Sequence, residues 1–260
     1  MKSMTNESVL RVALEQSARD SNCHAEDFLR ETNIVVDSAA NPQARKYLEL
    51  PFSCDLTSYG GNVVASVSPK LRGIATDYIS RFAPEHCFET PNLHVLMDAL
   101  RPHGLNVCFM AEYWLPDLGR LRPLDCPYAL RVLTQADFAA LYRPEWSNAL
   151  CEKRRELNVL GVGAYDGEKL IGLAGCSADC QTMWQIGVDV LPEYRRRGVA
   201  SAMTSRLALE CVARDKVPFY CCAWSNIRSA RNAIRSGFRP AWAQLTAKPD
   251  AMISRLNGAG

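Results

Sequence analysis

The run Arg195-Arg196-Arg197-Gly198-Val199-Ala200 gathers three side chains suited to bidentate contacts with phosphate oxygens around a residue that lets backbone N–H groups turn toward an anion. Beyond it, Ala200, Met203, Leu207 and Cys211 recur at three- and four-residue spacing, the pattern of a helix with one buried face. A helix opening at Val199, Ala200 and Ser201 adds unpaired N–H groups and the positive end of its dipole at the same point. The chemistry these residue types support together is the holding of a pyrophosphate. An arginine triplet alone equally suits a solvated surface or a nucleic-acid patch, so the flanking elements decide between the readings.

Those elements have the order that an anion cradle needs. Residues 183–191 read as a strand, with Trp184, Ile186, Val188 and Val190 on one face, and Pro192 ends it because it brings no N–H to a ladder. Residues 217–224 read as the next strand and 226–236 as a helix.

These residues resemble the GNAT superfamily of acyl-CoA-dependent N-acyltransferases. Its signature is Arg or Gln, two residues, Gly, one residue, then Gly or Ala, which Arg195, Gly198 and Ala200 match. Val190 and Pro192 approximate the family's Val-x-x-Pro with one residue fewer between them. The likeness covers residues 128–245. It implies an α/β fold whose mixed sheet splays between two central strands, with acyl-CoA in the opening. By position, the backbone of Val188 and Val190 would face the acyl and pantetheine portion. Arg195, Arg196, Arg197, Gly198, Val199, Ala200 and Ser201 would hold the pyrophosphate. Asn226 would match an Asn that contacts pantetheine, with Ser229 and Asn232 one and two turns further on. Asn226 beside Ser225 is also an ordinary helix N-cap pair.

Acyl transfer to an amine asks for a neutral amine, close alignment, donors for developing negative charge and a proton for the departing thiolate. Here the chain departs from the family. Gly237-Phe238 resembles the Gly-Phe that commonly opens the last strand pair of the family, and many members carry a Tyr four residues before it, where this chain has Ala233. Others carry a Glu in the fourth or fifth strand, and the corresponding stretches hold Trp184-Gln185 and Tyr220-Cys221-Cys222. No His follows His103. The substitutes are Asp189, which equally suits a structural hydrogen bond, and Glu145, placed where the family's first two helices wall the acceptor pocket. Tyr220 is the third, with Cys222 and Ser225 near it as further proton sources. The expected activity is transfer of acetyl from acetyl-CoA to a primary amine of a small molecule or a protein, by direct attack in a ternary complex. The missing acid and base also fit a catalytically silent acyl-CoA-binding or sensing module.

Composition sets the frame. The chain has 260 residues, 48% of them hydrophobic, enough for one large core or two modest ones. Its apolar stretches have strand length and its N-terminal run Met1-Lys2-Ser3-Met4-Thr5-Asn6-Glu7 is polar, so neither a membrane span nor a signal peptide is expected, and the cytoplasm is the expected location. The eleven cysteines are scattered, as small buried residues of a reducing compartment would be. Cys176 and Cys180 lack the spacing of a zinc knuckle, so no metal is expected.

Up to Asp125 there are 12 basic and 16 acidic residues, and from Cys126 onward 18 and 12. The whole-chain balance of +2 argues against a nucleic-acid binder, and the positive half is the one that should hold a polyanion. Residues 1–125 read as a small α/β unit. It has helices over 8–17, 25–30, 71–82 and 93–100, two strands turning at Gly60-Gly61, and a strand over 105–113. Pro116, Pro123 and Pro127 mark the boundary to an acyltransferase domain over 126–260. Some GNAT proteins carry such an N-terminal unit, and its expected role is a wall for the acceptor site or a homodimer contact.

Overall fold

The computed structural model describes residues 4–258, so the first three residues of the polar N-terminal run lie outside it. Along the chain run helix α1 (Asn6–Ser21), strands β1 (Ile34–Asp37), β2 (Cys54–Ser58) and β3 (Val64–Val67), helices α2 (Arg72–Arg81) and α3 (Thr90–Leu100), and strand β4 (Leu105–Pro116). Strands β5 (Ala129–Thr134), β6 (Asn158–Asp166), β7 (Lys169–Ser177) and β8 (Met183–Val190) follow, then α4 (Val199–Val212), β9 (Val217–Ala223), α5 (Ile227–Arg235), β10 (Phe238–Pro249) and α6 (Asp250–Leu256). Two compact units result. One takes the described residues up to Ala13 with Trp114–Pro240, the other Leu14–Tyr113 with Ala241 to the end of the described chain.

In the second unit β1 pairs parallel to β3, and β2 pairs antiparallel to β3 and to β10. The two strands expected around Gly60-Gly61 are β2 and β3, and Gly60 takes the left-handed φ of +103° that a tight turn asks of glycine. One sheet face packs Leu56, Val67 and Leu245 on Leu71, Leu96 and Leu100 of the helical segments. The alternate residues on the other face form a buried polar layer. Asp55, fully buried, accepts hydrogen bonds from Thr246 Oγ1 (2.6 Å), Gln244 Nε2 (3.0 Å) and Thr57 Oγ1 (3.1 Å). Burial outweighs these donors and pushes its carboxyl up to about 6.

In the first unit β5, β6, β7 and β8 pair antiparallel in sequence order, and β9 joins β8 in parallel. Strand-face alternation sets Val162, Ile171 and Ile186 against Val199, Met203 and Leu207 of α4, with Trp114 and Phe238 in the same core. A β-carbon on Gly172 would meet the flexible end of Met203, its Cε, at 2.7 Å.

The pair of helices implied before β6 is absent. Between β5 and β6 the chain makes only 3-10 turns, over Gln135–Asp137, Pro144–Trp146 and Glu152–Leu157. Pro144 lacks an N–H, and Arg154 breaks the last turn with a non-helical φ of −138°. The segment is anchored instead by Phe138, Trp146 and Leu150, which bury themselves with Leu133 and Leu173.

Candidate acyl-donor cleft

Strands β8 and β9 pair from Met183↔Val217 to Ile186↔Tyr220 and no further, although β8 continues to Val190 and β9 to Ala223. The two strands therefore part after Ile186. Leu191 donates its N–H to Ile171 O on the β7 side (2.9 Å). Because extended residues present their backbone groups to alternate sides, Val188 and Val190 present theirs toward β9. The carbonyl of Val190 accepts Arg195 Nε at 2.9 Å, which braces the end of the strand.

The basic turn follows directly. Arg196 (φ +64°) and Gly198 (φ +80°) take left-handed conformations that reverse the chain into α4. A β-carbon on Gly198 would meet nothing within 4 Å, so glycine serves the backbone angle there and not a close contact. Gly198 is the N-cap and brings no side-chain acceptor, and the first helical bond runs from Ala202 N–H to Gly198 O (3.0 Å). The N–H groups of Val199, Ala200 and Ser201 thus precede the first intrahelical donor, a set that fits an anion. All three arginines of the turn are exposed. Arg197 donates to Tyr128 Oη (2.6 Å) and lies over the Tyr194 ring, its guanidinium carbon 5.7 Å from the centroid.

Ser201 and Asn232 are drawn together in the structure, away from the surface. Ser201 Oγ donates to Asn232 Oδ1 (3.0 Å), Asn232 Nδ2 donates to Thr204 Oγ1 (3.1 Å), and Ser236 Oγ donates to Ser201 O (3.2 Å). Both side chains are buried and tie α4 to α5. Asn226 Oδ1 caps α5 by accepting the Ser229 N–H at 3.2 Å. Ser229 Oγ in turn lies 2.7 Å from the hydroxyl of Tyr220. Tyr220 is buried in the last pair of the β8–β9 ladder, and its burial holds the hydroxyl above the ordinary range for a phenol. Cys222 is buried on the same face of β9, whereas Cys221 accepts from Gln185 Nε2 at 3.0 Å.

On the opposite face of β8 the carboxylate of Asp189 is engaged by three donors. Oδ2 accepts the N–H groups of Asn148 and Ala149, each at 2.9 Å, and Oδ1 accepts Asn148 Nδ2 at 2.7 Å. The paired Gly175 and Gly187 make room for that segment, since a β-carbon on Gly187 would lie 1.8 Å from Asn148 O and one on Gly175 2.2 Å from Ala149 O. Glu145 is exposed in the preceding turn, outside these bonds. Ala149, Gly175 and Gly187 were not among the residues the sequence pointed to. The available signal was the pair of glycines inside strands, which marks a close backbone approach.

Among the described residues no group of three His, Cys, Asp or Glu side chains could hold a metal ion, and no helix is long and apolar enough to cross a membrane.

Residues 119–241 match the family model described as GNAT acetyltransferase. No curated protein matches the chain. Among solved structures it is similar to a GCN5-related N-acetyltransferase from Sphaerobacter thermophilus, with 14% identity, 93% of this chain and 92% of that one covered, and a TM-score of 0.48. A GCN5-related N-acetyltransferase-like protein from Streptococcus suis 89/1591 shares 20% identity over 60% of this chain and 69% of its own, with a TM-score of 0.45. A GCN5-related N-acetyltransferase from Kribbella flavida shares 17% over 61% of this chain and 64% of its own, less than two thirds of its length, with a TM-score of 0.44. Residues 119–241 thus resemble the GNAT acetyltransferases, a family whose members generally use acyl-CoA donors.

Proposed function

We propose that this protein is an acetyl-CoA-dependent N-acetyltransferase that acts on a primary amine of a small molecule or a protein by direct attack in a ternary complex. The observation that carries this reading is the end of the β8–β9 ladder at Ile186 and Tyr220, one strand-turn away from the uncapped start of α4. Arg195, Arg196 and Arg197 with the N–H groups of Val199, Ala200 and Ser201 hold the pyrophosphate. Val188 and Val190 offer backbone groups to the pantetheine and acyl portion. Asn226 and Ser229 flank it from α5, while Asn232 acts through Ser201 by fixing the two helices.

Bound acetyl-CoA supplies the thioester carbonyl carbon. The neutral amine forms the N–C bond as the C–S bond breaks. Tyr220 gives its hydroxyl proton to the departing sulfur and regains one from solvent, and the high pKa that burial imposes keeps it protonated at neutral pH. Asp189 is already engaged by three donors and serves to hold the 144–150 segment. Glu145 is exposed and takes no part in those bonds, which leaves it as the carboxylate available to take the amine proton.

The test begins with thermal unfolding with and without acetyl-CoA. A ligand bound only by the folded state stabilises it by about 2.7 kcal/mol at a hundredfold excess over its Kd. That shift is expected in the parent and lost in an Arg197→Glu, Gly198→Asp variant. CoA release is then followed over a panel of free amines and peptides. Binding without release on any amine would favour the silent acyl-CoA-binding module, and no shift in the parent would sink both readings.

A further inference from the structure

Asn148 is an exposed residue whose amide orientation is set by chemistry. Its Nδ2 lies 2.7 Å from Asp189 Oδ1, and an ionised carboxylate only accepts, so the NH2 end faces Asp189. The carbonyl end, Oδ1, is the end of this exposed side chain that is not turned to Asp189. Its position is equally constrained, because the Asn148 backbone carbonyl rests on Gly187, where a β-carbon would come within 1.8 Å. Gly187 is the first residue of β8 beyond Ile186, the last that pairs with β9. A fixed hydrogen-bond acceptor thus stands where the two strands part.

We propose that Asn148 Oδ1 receives an N–H of the attacking amine, and that Asp189 is the positioning residue that fixes this polarity. The inference rests on the acyltransferase reading and deepens it by naming what selects the nucleophile. A neutral primary amine has two N–H bonds and one lone pair. One N–H is held by Asn148 while the lone pair attacks the carbonyl carbon, and the other supplies the proton that must leave. An alcohol has a single O–H, which is the one lost, and a tertiary amine has none to offer. The site therefore favours N-acyl over O-acyl transfer.

Asp189→Asn tests the polarity without dismantling the segment. The new amide oxygen still accepts from Asn148 N–H and Ala149 N–H, and its NH2 donates to the Asn148 side chain, which turns over. All three bonds survive, but Asn148 now presents NH2 to the amine. Thermal stability and the acetyl-CoA-induced shift are expected to stay close to the parent, while the KM for the amine rises about tenfold, the scale of one lost hydrogen bond. Adding Asn148→Asp restores a fixed acceptor and is expected to recover most of that loss. Asn148→Ala, an exposed substitution, provides a second reading of the same KM. The proposal is overturned if the parent turns over an amine and both Asp189→Asn and Asn148→Ala leave the amine KM unchanged. A parent that binds acetyl-CoA but releases no CoA with any amine removes the acyltransferase reading, and this proposal falls with it.

Discussion

Gly187 and Asn148 meet backbone to backbone, closer than any side chain would allow, with only 1.8 Å between the place of a β-carbon and the Asn148 carbonyl oxygen. That oxygen belongs to the main chain and cannot rotate aside. Gly187→Ala must therefore lift the 144–150 segment off β8 or distort the strand. The expected cost is about 1–3 kcal/mol, the usual range for overpacking, measured from the midpoint of urea unfolding. Gly175→Ala, aimed at Ala149 O at 2.2 Å, should behave alike. In both variants the KM for the amine should rise more than the affinity for acetyl-CoA falls.

Tyr220→Phe removes one hydroxyl and keeps the ring that packs beside Phe238. If that hydroxyl protonates the departing sulfur, kcat should fall by roughly a hundredfold, within the range of a single general acid. The acetyl-CoA-induced thermal shift should remain. In the parent, any alkaline limb of kcat set by this group should lie above the ordinary phenol range, because burial favours the neutral form. A kcat equal to the parent's would remove Tyr220 from the chemistry.

Asn232 joins Ser201 to Thr204 across two helices, and both partners are buried. Asn232→Ala leaves those hydroxyls without it and is expected to cost about 1–3 kcal/mol of stability. Acetyl-CoA should bind more weakly as the start of α4 loses its support, and calorimetric titration would register it. An unchanged Kd in a destabilised variant would show that the tie serves folding alone.

Asp55 predicts a pH dependence of stability that involves no residue of the proposed chemistry. Its native carboxyl is raised to about 6 from 3.8, so between these values the native state binds more protons than the unfolded chain. Stability should therefore fall as pH rises from about 4 through about 6 and level off above, by about 3 kcal/mol for a shift of this size. Asp55→Asn keeps the shape without the charge and should flatten that slope, gaining on the parent at pH 8. Urea unfolding at pH 5 and pH 8 checks the sign, and equal slopes in parent and variant would refute it.

Contacts that are local in sequence were legible in advance. Gly198 between a strand and a helix needs only its neighbours to form a left-handed turn, periodicity placed β8 and α4, and the resemblance carried the order on through β9 and α5. The β2–β3 hairpin followed from Gly60-Gly61. Short β1 and the C-terminal α6 escaped, because four to seven residues carry too little periodic signal to stand out from loops.

What pattern could not supply was the partner of each polar side chain. Asp189 sits forty-one residues from Asn148, and Asn232 thirty-one from Ser201, and no spacing rule links such distances. The sequence by itself determined the order of β8, α4, β9 and α5, the basic turn at Gly198 and the departure from the usual acid and base at Ala233 and Trp184-Gln185. Only the tertiary structure decided that the 135–157 segment wraps as 3-10 turns around Trp146, that Asp189 is consumed in holding it, and that Tyr220 stands at the fork with Ser229. The reason is physical: helices and tight turns are settled by neighbours along the chain, whereas the pairing of a buried polar group depends on which distant backbone packs against it.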